Sequence, residues 1–267
     1  MSYTTITELF AGICDAIRDK DGTTDPINHQ DIPARIAAIS GGGSSVSNTP
    51  PIADPLIWID AESYGTDTTQ KDTTWANKGT LTDVINTKTS MYSTTADAVF
   101  INNNGAVCCN FSETYNDFTM YTVMRVHTRS GADTDAPMLG ADGTTDTYVK
   151  LAFIAQGATS IRATLRSYSG DLAYYPHAEQ YAILAITCRN GEQIAYVNGC
   201  PFLRQTNASN FSIRNICHKC KYTADDPIST VGVNMYYIKA TLAYNAAHTF
   251  DEVVAMSDWL RAKYLAK

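Results

Sequence analysis

The sequence predicts an all-β sandwich closed by one C-terminal helix and preceded by a short helical arm. Three observations carry this expectation. From residue 56 onward, apolar and polar residues alternate with the period of two that a half-buried strand requires. Two Asn-Gly dipeptides, Asn190-Gly191 and Asn198-Gly199, fall between apolar runs, and Asn-Gly suits the positive φ angles of tight hairpin turns. Helical spacing appears near the two ends, each time behind a Thr-x-x-Glu capping box: Thr5 to Glu8 and Thr249 to Glu252.

The arm comprises residues 1–39. Ile6, Leu9, Ile13 and Ile17 recur at helical spacing, and "DKDGTTDP" then stops the helix with Gly22 and Pro26. Asp31 and Pro33 start a second short helix with Ile32, Ile36 and Ile39 on one side. Two helices of this length bury little against each other, so their isoleucine face predicts a docking surface. The alternative is that the arm folds back onto the domain that follows. Residues 40–55, "SGGGSSVSNTPPIADP", predict a linker, flexible at its glycine end and stiffer around Pro50-Pro51.

The sandwich is expected over residues 56–267. "FTMYTVMRVH" places Phe118, Met120, Met124 and Val126 on one face, with Thr122 interrupting it. "IRATLR" alternates strictly, with Ile161, Ala163 and Leu165 inward. "AILAITCRNGEQIAYVNGCPFL" reads as a three-stranded meander, and "STVGVNMYYIKATLAYN" supplies a further long strand. Helix returns after Thr249, with Phe250, Val253, Leu260 and Tyr264 as its expected buried stripe.

Composition excludes several classes of function. The 267 residues are 44% hydrophobic and 18% charged, which describes a foldable chain and not a disordered one. Net charge is −7 and no Lys/Arg cluster stands out, so nucleic acid is not an expected partner. No stretch approaches the ~18 apolar residues of a membrane span, so no membrane insertion is expected. "MSYTTITELF" lacks a basic region followed by an apolar run, which predicts synthesis without a secretion signal. The seven cysteines (14, 108, 109, 188, 200, 217, 220) are then expected to be reduced thiols. "CHKC" at Cys217 to Cys220, with Cys108 and Cys109 as distant partners, invites a zinc reading but lacks a second C-x-x-C.

"LIWIDAESYG…TTWANKGT", "FTMYTVMRV", "AYVNGCPF" and "FDEVVAMSDWLRAKY" follow in order. This succession resembles the concanavalin A-like, laminin-G-like jelly-roll domains of bacterial and phage surface proteins, over about residues 52–267. Trp58 and Trp75 align with that family's opening strand and following loop, which implies that they are core. The arm separately resembles a short module of phage and prophage virion proteins, carried by "ITELFAGICDAIRDKDGTTDPINHQDIPARIAAI". Together the resemblances imply a phage virion structural or surface protein: a capsid decoration, a head fibre or a tail adhesin. Its anchoring face would be Ile6, Leu9, Ile13, Ile17, Ile32, Ile36 and Ile39. Expected partners are other virion proteins, a host cell-surface glycan and further copies of the chain. The implied location is the virion surface, after synthesis in the host cytoplasm.

No catalytic residues emerge. Glycosidases of this superfamily carry an E-x-D-x-E strand, and no such string occurs. Of six glutamates (8, 62, 113, 179, 192, 252), Glu8 lies in the arm and Glu252 in a helix cap. "YYPHAEQY", Tyr174 to Tyr181, holds the tyrosines and histidine of a lyase site without an arginine. No G-x-S-x-G or P-loop string is present, and Cys109 and Cys188 read as buried fillers. The chain is therefore expected not to be an enzyme, the alternatives being a glycan depolymerase or a soluble bacterial lectin.

Glycan binding has better support, because sugars stack on aromatic rings and the chain has 16 tyrosines. Adjacent strand residues face opposite ways, so Tyr174-Tyr175 and Tyr236-Tyr237 should each expose one ring. No cofactor is expected. The one metal candidate is calcium at Asp133, Asp135, Asp142 and Asp146 in "GADTDAPMLGADGTTDTY", where solvated turn residues are the plainer reading.

Overall fold

A computed structural model describes residues 13–18, 20, 47–65, 74–82, 85–88, 91–93, 97–102, 105–128, 137–142, 151–156, 160–165, 168–172, 180–206, 213–218, 220–221, 229–230 and 235–266. The chain divides into two compact units, Met1–Val46 and Ser47–Lys267. In the first, residues 13–18 are helical. Ile13 is half-buried there, but Ile17 is only 5% exposed, so Ile17 is not the open docking side chain that its spacing suggests. Ile6, Leu9, Ile32, Ile36 and Ile39 lie outside the described residues.

The second unit is built of antiparallel strands. β1 (Ile57–Asp60) runs into a one-turn helix, α1 (Ala61–Tyr64). β2 (Ile85–Lys88), β3 (Met91–Tyr92), β4 (Val99–Ile101), β5 (Ala106–Tyr115) and the long β6 (Phe118–Thr128) follow. Next come β7 (Pro137–Asp142), β8 (Leu151–Gln156), β9 (Ser160–Leu165) and β10 (Tyr168–Leu172). β11 (Ala182–Arg189), β12 (Glu192–Val197) and β13 (Cys200–Gln205) are the expected meander. β14 (Ile213–His218), β15 (Cys220–Lys221), β16 (Ser229–Thr230), β17 (Met235–Tyr244) and the helix α2 (Phe250–Tyr264) complete the chain. One sheet has the order β13-β12-β11-β6-β17-β4-β3, with β1 also paired to β17, and the other the order β10-β9-β8-β7-β14-β5-β2. This is an all-β sandwich, as the alternation predicts.

Its interior takes Met120, Met124, Leu184, Ile186 and Ile238 from the first sheet and Val107, Cys109, Leu165 and Ile216 from the second. Thr122, which breaks the apolar run in sequence, is nevertheless buried. Its hydroxyl donates to the Ala240 carbonyl at 3.1 Å and meets the Thr241 hydroxyl at 3.1 Å. From the facing sheet, His218 Nε2 lies 2.8 Å from the same Thr241 hydroxyl. The interruption is thus a satisfied polar link across the core, which avoids the cost of a buried unpaired group.

Both Asn-Gly turns form. Asn190 and Gly191 have φ of 47° and 80°, and Asn198 and Gly199 have φ of 54° and 84°. A Cβ at Gly199 would also lie 3.3 Å from Ser257 Cβ, because the turn sits against α2. That helix covers part of the outer face of the first sheet. Val253, Met256, Trp259 and Leu260 pack on Tyr121, Val123, Ile183, Ala185, Leu242 and Tyr244. The Thr249–Glu252 capping box is present, but Phe250 is 52% exposed and outside the expected stripe.

The expected linker ends earlier than its composition suggests. Residues 47–55 belong to the second unit, strapped to it by side chains. Trp259 Nε1 donates to the Ser47 carbonyl at 2.8 Å, Lys263 Nζ to that of Asn48 at 3.3 Å, and the Tyr244 hydroxyl to that of Ile52 at 3.2 Å.

Asp60 joins these parts. It is 1% exposed and caps α1, accepting from Ser63 N at 2.9 Å. Its other carboxylate oxygen accepts from Lys78 Nζ at 2.9 Å and from the Tyr264 hydroxyl at 3.0 Å. Burial works against the Lys78 ammonium, but the hydrogen bonds it donates to Glu62 and Asp60, with their charges, outweigh it and raise its pKa above the ordinary lysine value. Burial, with the Asp60 charge behind it, raises the Tyr264 phenol and keeps it a donor. Asp60→Ala, which strands Ser63 N–H and the Tyr264 hydroxyl and leaves Lys78 to Glu62 alone, should cost about 2–4 kcal/mol in urea unfolding, and Lys78→Met less, because Lys78 is partly hydrated.

Beneath α2, His248 Nδ1 lies 2.7 Å from the Tyr121 hydroxyl and its ring lies 4.4 Å from that of Tyr244. Burial lowers the His248 pKa from 6.5 to about 4, the Glu252 charge opposing only in part. Between pH 6.5 and 4 the unfolded chain therefore takes up a proton that the folded one excludes. Stability should fall by roughly 2–3 kcal/mol as pH drops through that window, and His248→Gln should flatten this part of the curve. Denaturant midpoints at pH 7, 5.5 and 4.5 check the slope.

Candidate functional site

The outer face of the first sheet carries the most unusual chemistry among the described residues, just beyond the part that α2 covers. Its origin is a β-bulge. β17 pairs with β6 through Tyr237–Arg125 and Ile238–Met124, then resumes at Ala240–Val123, which leaves Lys239 as the extra residue. An extra residue reverses the in-out alternation. Tyr236 and Ile238 point into the sandwich before it, and Ala243 after it. Ala240, Leu242 and Tyr244 point outward to α2.

The register then lines up one row across the sheet. Arg125 on β6 stands opposite Tyr237 on β17, and Tyr237 stands opposite Phe100 on β4. Tyr181, just before β11, flanks Arg125 on the other side. The Arg125 guanidinium lies 4.4 Å from the Tyr237 ring centroid and 5.2 Å from that of Tyr181. The Phe100 and Tyr237 rings are 4.8 Å apart. Lys239, turned outward at the bulge, places Nζ 4.8 Å from the Tyr181 centroid. The same ammonium donates to both Asp97 oxygens, at 3.2 and 3.0 Å. Tyr92 occupies the next register position, opposite Phe100. Four strands at about 4.8 Å spacing give the row from Tyr181 to Phe100 a length of roughly 14 Å.

A guanidinium and an ammonium group held against tyrosine faces are stabilised by the ring quadrupoles, more strongly where water is excluded. Burial raises the Tyr181 phenol above its ordinary pKa, and the charge and hydrogen bond of Arg125 reverse this only in part. Tyr181 therefore stays protonated at neutral pH. The row presents half-buried Tyr181, Arg125 and Tyr237, so it offers polar edges of aromatic and cationic groups and not a flat apolar platform.

The sequence-based candidates fare unevenly. Tyr236 is 0% exposed and fills the sandwich core, so it is no glycan-stacking ring. Tyr237 does face outward, but Phe100 and Arg125 occupy its two sides. Tyr174 and Tyr175 lie outside the described residues, as do Asp133, Asp135 and Asp146. Asp142 ends β7, opposite Asn215 of β14. Among the described residues no group of three or more acidic, histidine or cysteine side chains is placed to hold a metal ion. The register does bring Cys217 opposite Cys108. Cys108, Cys109 and Cys188 are buried, and Cys200 is exposed. Trp75 is core at 2% exposure, while Trp58 sits edge-on to Trp259, 6.0 Å away.

Arg125, Tyr181 and Lys239 were not singled out by sequence. The available signal was the failure of alternation in "YYIKATLAY", which marks the bulge where Lys239 and Ala240 follow one another on the outer face.

No protein-family model and no curated protein matches the sequence. Solved structures do match. Trypanosoma rangeli sialidase in complex with a difluoro-KDN aligns with a TM-score of 0.62 at 11% identity, over 97% of this chain and 40% of that one. The botulinum neurotoxin serotype D ligand binding domain, in complex with N-acetylneuraminic acid, aligns with a TM-score of 0.53 at 8% identity. That match covers 77% of this chain and 50% of the toxin chain. The binding domain of Paraclostridial Mosquitocidal Protein 1 gives 0.53 at 10% identity, over 76% and 52%. What these likenesses show is the fold. The chain spans about two-fifths of the sialidase and about half of each toxin chain, so it is similar to a β-sandwich that occurs both in an enzyme chain and in binding domains.

Proposed function

We propose that the second unit is a non-enzymatic glycan-binding head and that the first unit joins it to a virion, as a capsid decoration, head fibre or tail adhesin. The observation that carries the binding reading is the row Tyr181–Arg125–Tyr237–Phe100 with Lys239 beside it. A fold alone assigns no function. A row that leaves Tyr181, Arg125 and Tyr237 half-buried, with Phe100 and Lys239 buried beside them, is the kind of surface that recognises polar ligands. The similarity to a domain solved with N-acetylneuraminic acid agrees with a sugar as that ligand.

The non-enzymatic part rests on how the described acids are used. Glu62 pairs with Lys78, Glu192 with Arg204, and Glu252 closes the α2 capping box. Asp60 is committed to three donors. These four are engaged in structural contacts, and the sequence carries no E-x-D-x-E strand to supply a carboxylate pair across a scissile bond. The virion part rests on the resemblance of the arm, whose helical stretch lies in a unit separate from the sandwich.

Full-length protein applied to arrays of host cell-wall and cell-surface glycans should bind at least one class of structure. Tyr181→Ala and Arg125→Gln should lose that binding while keeping the wild-type melting temperature, and no new reducing ends should appear during incubation. Absence of binding to any glycan, or release of sugar above a boiled control, overturns the reading.

Removing residues 1–45 should leave a folded head with nearly unchanged melting temperature that no longer joins particles, because the sandwich holds its own core. Ile13→Asp should weaken incorporation into particles, the lost apolar contact costing roughly 1.5–3 kcal/mol. Wild-type occupancy by the truncated head would move the anchor into the sandwich.

A further inference from the structure

We propose that Cys108 and Cys217 close a disulfide across the second sheet once the protein leaves a reducing compartment. The pair lies on the other sheet from the aromatic row, and its role is independent of the glycan-binding reading.

The first argument is register. β14 pairs with β5 so that Cys217 stands directly opposite Cys108. Among the described strand pairs this is the one place where cysteine stands opposite cysteine: Cys109, Cys188, Cys200 and Cys220 all oppose other residue types. Directly opposite residues of an antiparallel pair have Cα atoms roughly 4.5 or 5.5 Å apart, and a disulfide accepts roughly 4.4–6.8 Å. On its other side Cys217 neighbours Gly140 of β7, so that position brings no Cβ to crowd a bridge.

The second argument is placement. Val107, Cys109 and Phe111 of β5 belong to the sandwich interior, which puts Cys108 on the opposite face of the strand. It is nevertheless 0% exposed. β15, which begins with Cys220, packs against β5. Burial sets the timing, because neither oxidant nor reductant reaches Cys108 in the closed sandwich. The bond therefore closes during folding or local opening, and afterwards is shielded from reduction.

The third argument is what the bond would join. β14 sits between β5 and β7, so the bridge ties the β2–β5 part of the second sheet to the part built from β7 to β10. The loop it closes, residues 109–216, contains β6 to β13 and thus strands of both sheets. Cross-linking so long a loop removes much of the freedom of the unfolded chain. Zinc is the competing use of these thiols, with Cys220 as a third ligand. A closed zinc site takes four ligands, whereas a disulfide needs the two that the register supplies.

The chemistry needs an oxidant, and a small-molecule disulfide such as oxidised glutathione supplies it. One protein thiolate attacks its S–S bond and expels a glutathione thiolate, and the second protein thiolate then displaces the attached glutathione. The two cysteines lose two electrons and two protons, and one oxidised glutathione becomes two glutathione thiols.

The test refolds full-length protein from denaturant in a mixture of oxidised and reduced glutathione, blocks the remaining thiols and maps tryptic peptides without reduction. Trypsin cuts after Arg214 and Lys219, so Cys217 and Cys220 fall in separate peptides. The peptide of residues 215–219 should be joined to the one that holds Cys108. Cys108→Ala should abolish this join and Cys109→Ala should keep it. Bridged protein should melt about 5–10 °C above reduced protein, a difference that Cys217→Ala removes. If a variant does not fold, the wild-type map decides alone, with peptide fragmentation between Cys108 and Cys109. Seven titratable thiols after oxidation, or Cys217 joined to any other cysteine, overturns the inference. So does stoichiometric zinc that the reduced protein retains and that protects Cys217 from the join, which assigns the thiols to a metal.

Discussion

The buried carboxylate of Asp60 is the constraint on which the sandwich's closure depends. β1 is only four residues long and pairs with β17 alone, so its place in the sheet needs more than backbone bonds. Asp60 supplies it by capping α1, neutralising Lys78 and accepting from Tyr264 near the end of α2. Trp75 Nε1 adds a bond to the Asp60 carbonyl at 2.9 Å. A charge so deeply buried is tolerable only because every one of these donors is present. The start and the end of the unit are thereby held at one point, and α2 is fixed across the outer face of the first sheet.

That placement decides what the outer face can do. α2 shields Tyr121, Val123, Ile183 and Leu242, whose side chains are apolar or already paired. Beyond the helix the same strands β6 and β17, with the residue that precedes β11, carry Arg125, Tyr237 and Tyr181. One sheet face is thus divided into a covered half that stabilises and a further half that carries charge. The bulge at Lys239 lies on the division, and reverses the pattern there so that both halves read outward correctly.

Much of the fold was legible because its signals are local. The two Asn-Gly turns dictate their own φ angles, the Thr249 capping box needs only four residues, and the strict alternation around Ala163 and Leu165 matches their burial. What was not legible depends on neighbours distant in sequence. Alternation says that Tyr236 and Tyr237 face opposite ways, but not that Tyr236 belongs to the core nor that Arg125 stands opposite Tyr237. Residues 47–55 look like linker by composition, and only Trp259, Lys263 and Tyr244 make them part of the domain. Phe250 fits the helical stripe by spacing, yet at the first helical position it stays exposed, although Ala247 and His248 just before it are buried.

The strap formed by Ser47, Asn48 and Ile52 has a mechanical meaning. Tension arriving along the chain from residue 46 meets the sandwich first at the Trp259–Ser47 bond, then at Asn48 and Ile52, before it reaches β1. These bonds lie at different points along the chain and release one after another, like a short zip. Behind them, β1 is held edgewise along its whole length by β17 and cross-braced by Asp60. A sandwich tethered in this way has a few residues of slack to give up before its core feels any load.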